Sequence, residues 1–179
     1  MAKIVVVMGV AGSGKTTVGR ILADALHCPF LEGDSLHSPA NVEKMSHGIP
    51  LTDADRAPWL AAIHARLLDA LRRGQSLVAA CSALKQSYRE VLADGVPITW
   101  VYLKGSPALI RSRLQHRTGH YMKADMLASQ LEALEEPSDA LIVDISHSPG
   151  AIVEQILAEL GGPTHADMAG PTDRRKGGA

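Results

Sequence analysis

Residues 4–22 read IVVVMGVAGSGKTTVGRIL, and this stretch decides the fold class. Its first part is continuously apolar, which is typical of a strand covered on both faces, as in a parallel sheet. Residues 9–16 match the pattern G-x-x-x-x-G-K-[ST], and an amphipathic helix is predicted over 15–26. Strand, glycine-rich loop and helix in this order predict a P-loop, in which the helix N-terminus faces nucleotide phosphates.

The residue types in this loop follow from the chemistry of phosphate binding. Glycines allow backbone N–H groups to approach the phosphates closely. Lys15 is predicted to reach the β- and γ-phosphates of ATP, and the Thr16 hydroxyl is predicted to be a Mg²⁺ ligand. The predicted nucleotide-binding set comprises Gly9, Val10, Ala11, Gly12, Ser13, Gly14, Lys15, Thr16 and Thr17. The chain lacks the guanine-reading N-K-x-D segment of GTPases and is too short for a typical ATP-driven motor, so a small kinase is favoured.

Apolar runs alternate with amphipathic stretches along the rest of the chain. Strands are predicted over 4–10, 29–32, 76–81, 98–103 and 140–145. Helices are predicted over 15–26, 59–71, 85–93, 107–117, 124–134 and 150–160, with Pro58 in the first turn of the second. This alternation predicts a three-layer α/β/α P-loop kinase fold with a five-stranded parallel sheet. We expect one domain over 1–160 and a flexible tail over 161–179.

Composition narrows the class of protein further. The net charge of −1 over 179 residues gives no electrostatic case for binding nucleic acid or a membrane. Cys28 and Cys81 have neither disulfide-framework nor metal-site spacing, so both are predicted to be reduced. No secretory signal is recognisable, and a cytoplasmic enzyme is expected.

Polar residues follow the second predicted strand, where an acceptor site is expected. Asp34 lies at the carboxyl end of this strand, and ligands of open α/β sheets bind beyond such ends. A carboxylate there can orient a hydroxyl, accept its proton, or hold Mg²⁺ through water. The alternative is that Asp34 only caps a turn or helix. The segment that follows, through Leu60, is polar and has no strong amphipathic pattern, which suits a substrate-covering segment. Arg56 within it is suited to hold a carboxylate.

Four blocks of sequence together resemble one family. They are GDSLHSPANVEKMSHGIPLTDADRAPWL at 33–60, CSALKQSYR at 81–89, RLQHRTGHYM at 113–122 and QLEALEEP at 130–137. In this order they resemble the bacterial-type gluconokinases, which are P-loop kinases related to shikimate kinase. The resemblance spans roughly residues 4–158 and implies phosphorylation of D-gluconate to 6-phospho-D-gluconate by ATP with Mg²⁺. It also implies a small helical lid at about 111–126 and a homodimer.

The resemblance and the residue chemistry together give a predicted site. Its catalytic residues are Lys15, Asp34 and Arg117, where Arg117 stabilises the transition state from the lid and Arg113 also faces the phosphates. Its substrate-binding residues are Asp34, His37, Arg56, Lys85, Arg89 and His120. Lys85 and Arg89 lie four residues apart, so a solvated helix face is their alternative. The alternative for His37 is a simple N-terminal helix residue, and for His120 a residue that only shapes the lid. For Arg113 and Arg117 the alternative is a basic helix that faces solvent. Other readings of the whole chain are a shikimate-like or other small-molecule kinase and a nucleotide-binding protein without turnover.

Overall fold

Five parallel strands form one sheet in the computed structural model, which describes residues 2–116 and 126–161. The strands are β1 (Ile4–Met8), β2 (Phe30–Glu32), β3 (Leu77–Ala80), β4 (Ile98–Lys104) and β5 (Leu141–Asp144). Their spatial order is β2-β3-β1-β4-β5, and every neighbouring pair is parallel. The predicted five-stranded parallel sheet is confirmed, and β1 lies at its centre.

Seven helices connect and cover the strands in the described residues. They are α1 (Lys15–Ala25), α2 (Pro39–Ser46), α3 (Asp53–Arg72), α4 (Gln86–Ala93), α5 (Pro107–Gln115), α6 (Leu127–Ala133) and α7 (Pro149–Glu159). Val5 and Val7 of β1 pack in a cluster with residues of α1, α5 and α7, whereas Val6 and Met8 pack with residues of α3 and α4. Both faces of the sheet are therefore covered, which explains why its strands read as continuous apolar runs.

The segment between β2 and β3 differs from its prediction. A 3₁₀ turn over Gly33–Leu36 and helix α2 precede α3, and neither has a clear apolar stripe in the sequence. Helix α3 begins at Asp53, so the prediction that Pro58 lies in its first turn is wrong; Pro58 lies inside the helix. The reason is the Thr52 N-cap, whose side chain accepts the Asp55 N–H while the Asp55 carboxylate accepts the Thr52 N–H.

The remaining element boundaries shift by a few residues, as helix and strand ends commonly do. The predicted helix over 107–117 ends at Gln115 in the structure, and the one over 124–134 begins at Leu127. Residues 117–125 and the predicted tail after Gly161 lie outside the described residues. In the part of the chain that the structure describes, no helix is both long enough and apolar enough to cross a membrane.

Candidate active site

The carboxyl ends of the three strands β1, β2 and β3 open into one cleft. The P-loop follows β1, the turn that carries Asp34 follows β2, and Ser82 follows β3. The Gly9 N–H donates to the Ser82 carbonyl at 3.4 Å, which joins the first and third of these segments. The predicted donor loop and the predicted acceptor side therefore face each other at the sheet edge where α/β proteins bind ligands.

The P-loop has the backbone conformation that an anion site requires. Gly14 is the N-cap of α1 and has a left-handed backbone with φ of +97°, which L-residues with a side chain resist. An added Cβ there would meet nothing within 4 Å, so the loop leaves open space above the helix N-terminus. The hydroxyl of Ser13 is buried and has no hydrogen-bond partner among the described residues. An open cradle with a spare donor fits a nucleotide phosphate.

Oxygen atoms suited to Mg²⁺ lie beside the P-loop. Thr16 Oγ1 donates to Glu32 Oε2 at 2.6 Å, and Asp34 lines the same cleft as Thr16. Hydroxyl and carboxylate oxygens are the ligands that Mg²⁺ prefers, usually together with phosphate oxygens and water. The described residues contain no cluster of three or more His, Cys, Asp or Glu side chains that could hold a metal by themselves. This donor set fits a Mg²⁺ ion that arrives with a nucleotide.

Trp59 and His37 form one wall of the acceptor side. Their rings stack with centroids 4.3 Å apart and planes 12° apart. The Trp59 indole N–H donates to the Gly33 carbonyl at 2.8 Å, which anchors the turn that carries Asp34. Asn41 Nδ2 lies 3.4 Å from His37 Nδ1, and an amide NH₂ can only donate, so this contact requires an unprotonated Nδ1. Burial also lowers the pKa of His37, and the Arg56 charge acts in the same direction against the Asp34 charge.

Arg56 reaches the same cleft from the end of the first turn of α3. Its guanidinium donates to the Leu51 carbonyl and lies 5.7 Å from the centroid of the Tyr88 ring. Both Arg56 and His37 line the cleft with Asp34 and Lys15. The structure therefore brings one predicted acceptor-side cation, one imidazole and one carboxylate next to the P-loop.

Two other predicted substrate residues are engaged elsewhere. Lys85 Nζ contacts both carboxylate oxygens of Asp53 at 2.9 and 3.1 Å, and this hydrogen bond raises the pKa of Lys85. Arg89 is 4% exposed, and its guanidinium donates to the carbonyls of Ala83 and Leu84 at 2.9 and 3.2 Å. Neither side chain lines the cleft. The alternative of a solvated helix face does not describe Arg89 either, because its side chain is buried under the loop after β3.

A second cleft continues from the P-loop along α1. Its lining includes Gly14, Thr17, Arg113 and His147. Arg113 Nη2 donates to the Ile145 carbonyl at 2.6 Å, which holds α5 against the end of β5. Predicted nucleotide residues therefore lie on both sides of the glycine-rich loop. The predicted residues Arg117 and His120 lie outside the described residues.

Among the residues without a role in the predicted site, Glu32 and Gln130 have side chains that contact the P-loop. Glu32 ends β2 and accepts the Thr16 hydroxyl, and its place at a strand end next to the P-loop was the available signal. Gln130 is on α6 and accepts the Ala11 N–H at 2.7 Å. No spacing rule connects positions 119 residues apart, so Gln130 needed the structure.

Comparisons with known proteins show the family to which this chain belongs. Residues 4–137 match a family model described as an AAA domain. The chain is 50% identical over 159 residues to a gluconokinase of Gluconobacter oxydans, with 87% of this chain and 89% of that protein covered. The chain belongs to the gluconokinase family. The thermoresistant gluconokinase of Escherichia coli is 44% identical over 159 residues, covering 86% of this chain and 91% of that enzyme.

The fold of this gluconokinase-family chain is shared by a solved relative. The crystal structure of a gluconokinase from Sinorhizobium meliloti superposes with a TM-score of 0.80 at 47% identity, covering 89% of this chain and 91% of that one. The stretch that the family model matches runs from β1 to Pro137, so it contains the P-loop, the acceptor wall and Gln130. The resemblance expected from the four sequence blocks is confirmed.

Proposed function

We propose that this chain transfers the γ-phosphoryl group of ATP to a hydroxyl of D-gluconate and releases ADP and 6-phospho-D-gluconate. The observation that carries the proposal is the single cleft in which the P-loop faces Asp34, His37 and Arg56. In the reaction a bond forms between the gluconate oxygen and phosphorus, the bond from phosphorus to the ADP oxygen breaks, and the hydroxyl proton is lost. Membership of the gluconokinase family supports gluconate as the acceptor.

On the donor side, the amides of the P-loop and the N-terminus of α1 bind the phosphates. Lys15 neutralises charge on the β- and γ-phosphates, and Arg113 and Thr17 border the nucleoside side of the loop. Thr16, with Glu32 and Asp34 near it, would hold Mg²⁺, which when bound neutralises phosphate charge. Arg117 is proposed to stabilise charge in the transition state.

On the acceptor side, Arg56 is proposed to bind the gluconate carboxylate, since a guanidinium can pair with both of its oxygens. Asp34 orients the reacting hydroxyl and accepts its proton, and His37 forms hydrogen bonds with another hydroxyl. His120 is proposed to contact substrate as well. Lys85 and Arg89 are proposed to serve the acceptor site through the loop after β3, because their contacts to Asp53, Ala83 and Leu84 shape that loop.

An acceptor screen tests the function. ADP release is measured with the purified chain, ATP and Mg²⁺ against D-gluconate, other sugar acids, shikimate and nucleoside monophosphates. We expect turnover with gluconate well above that with every other acceptor. Activity only with shikimate or a nucleoside monophosphate would show that gluconate is not the substrate. If no acceptor raised ADP release above background, the chain would be a nucleotide-binding protein without turnover.

Replacement of Asp34 by Asn tests the acceptor side. The substitution keeps the side-chain shape but removes the negative charge that accepts the proton, so kcat should fall by about 100-fold or more. Binding of a non-hydrolysable ATP analogue, measured by calorimetry, should survive. An Asp34→Asn enzyme with wild-type kcat would remove Asp34 from the mechanism.

A cytoplasmic location and a homodimer are also proposed, on the strength of the family resemblance. Light scattering coupled to size-exclusion chromatography measures the mass in solution. A mass of one chain at micromolar concentration would contradict the homodimer.

A further inference from the structure

We propose that Gln130 is a positioning residue for Lys15 and acts through the Val10–Ala11 peptide unit of the P-loop. The Ala11 N–H donates to Gln130 Oε1 at 2.7 Å. Gln130 is 7% exposed, although it is a polar side chain, and it lies at the edge of the cleft. This inference rests on the proposed kinase function only in its kinetic consequences.

The two ends of one peptide unit make the connection. The Val10 carbonyl and the Ala11 N–H belong to the same planar, trans peptide group, so they point in opposite directions. The Val10 carbonyl accepts Lys15 Nζ at 3.0 Å and the Ser13 N–H at 3.2 Å. The bond from Ala11 to Gln130 therefore fixes the orientation in which the carbonyl faces the Lys15 ammonium. If this peptide group turned over, the carbonyl would lose both of its partners.

The helix that carries Gln130 is itself fixed, in the core and to the loop after β3. Gln130 lies on α6, whose Leu127 is buried in the core. Just beyond this helix the Glu135 N–H donates to the Leu84 carbonyl at 2.8 Å, and the Glu135 carboxylate accepts the Gln86 N–H at 2.7 Å. Leu84 and Gln86 belong to the loop and first helical residue after β3, on the acceptor side of the cleft. The orientation of Lys15 is thereby tied to a helix that is fixed to the acceptor-side loop.

The substitution Gln130→Met tests this connection, since Met has a similar length but cannot replace the amide oxygen as an acceptor. Gln155→Met, on the exposed face of α7, is the matched control. For Gln130→Met we expect kcat/KM for ATP to fall about tenfold, the effect of one buried hydrogen bond of about 1.4 kcal/mol. The KM for gluconate should change less than twofold, and hydrogen exchange of the Ala11 amide should accelerate. Gln155→Met should match the wild type in all three.

Amide exchange and calorimetric binding of an ATP analogue need no acceptor, so both remain informative if gluconate is not the substrate. Unchanged Ala11 exchange and unchanged nucleotide affinity in a folded Gln130→Met protein would overturn the proposal. If that variant does not fold, Gln130→Glu decides, because its carboxylate keeps an acceptor oxygen at the same distance along the side chain. Slow Ala11 exchange in Gln130→Glu supports the proposal, and exchange as fast as in an unstructured peptide overturns it.

Discussion

At the scale of single residues, Trp59 and Asn41 hold His37 and the turn that carries Asp34 in place beside the P-loop. His37 is fixed on one face by Trp59 and at Nδ1 by Asn41. Both contacts are satisfied by a neutral ring. Asp34 is placed by the turn that Trp59 anchors through the Gly33 carbonyl. One buried indole therefore positions both the carboxylate and the imidazole.

Burial of His37 predicts a particular pH dependence of the folding stability. Burial lowers its pKa in the folded protein below the ordinary value of 6.5. As pH falls below 6.5 the unfolded chain binds a proton that the folded chain binds only at lower pH, so folding stability falls. We expect the wild type to lose free energy of unfolding relative to His37→Gln between pH 7.5 and 5, measured by urea denaturation. Parallel pH profiles of the two proteins would contradict this expectation.

Position 33, in the turn that carries Asp34, has no room for a side chain. A Cβ built at this position would lie 2.4 Å from the Ala80 carbonyl oxygen and 3.2 Å from Ile63 Cδ1. Because the closest atom belongs to the backbone of β3, Gly33→Ala should destabilise the protein by about 1–3 kcal/mol and lower kcat. Gly150→Ala is the control, because a Cβ there meets nothing within 4 Å. Equal stabilities of the two variants in thermal denaturation would show that the turn adapts.

At the scale of elements, the sequence predicted those parts whose pattern is local and missed those fixed by distant partners. The strands and α1 follow from apolar runs and the P-loop pattern. Helix α2 has a Ser38 N-cap and Pro39 in its first turn, but its polar residues hide the pattern. Its position depends on contacts with α3, where Asn41 Nδ2 donates to the Asp55 carbonyl at 2.8 Å and Lys44 pairs with the Asp55 carboxylate at 2.8 Å.

The same distinction separates the candidate site residues. Lys15, Thr16 and Asp34 could be placed in the cleft because a strand end determines their location. Arg89 could not be distinguished from a substrate cation, since its partners are backbone carbonyls of a loop whose path the sequence does not reveal. Lys85 was ambiguous for a similar reason, because Asp53 lies 32 positions away.

Removal of the Thr52 cap of α3 should cause a measurable loss of stability. Thr52 Oγ1 accepts the Asp55 N–H at 3.1 Å, so Thr52→Ala leaves a helix N-terminal donor without its partner. The expected loss is about 1 kcal/mol in the free energy of unfolding. Thr52→Ser retains the hydroxyl and should remain close to the wild type. If both variants lost the same stability, the methyl group rather than the cap would be responsible.

At the scale of the whole molecule, the strand order explains why the P-loop shares one cleft with Asp34 and Arg56. The central strand β1 carries the P-loop, and β3 and β2 follow on one side, with Ser82 and Asp34 just beyond their ends in the same cleft. On the other side, α5 and the loop after β5 border the second cleft, which also includes Gly14 and Thr17. The chain returns through α6 to contact both the P-loop and the loop after β3.

Cys81 follows β3 next to the P-loop, and the reactivity of its thiol reports whether the ends of β1 and β3 have separated. It is fully buried at the end of β3, its N–H donates to the Val7 carbonyl at 3.1 Å, and burial raises the pKa of its thiol to about 12. Thiol reagents attack the thiolate, so modification of Cys81 must wait until the strand ends separate. Such an opening also disturbs the contact between Gly9 and Ser82 next to it.

The labelling rate of Cys81 in a Cys28→Ser background should therefore measure how often the ends of β1 and β3 separate beside the P-loop. An ATP analogue at 100 times its Kd should slow this rate by about 100-fold, because it binds only the closed form. If the nucleotide did not change the labelling rate, the end of β3 would separate from β1 without disturbing the P-loop. The labelling rate of one buried thiol would thus report the affinity of the chain for a nucleotide.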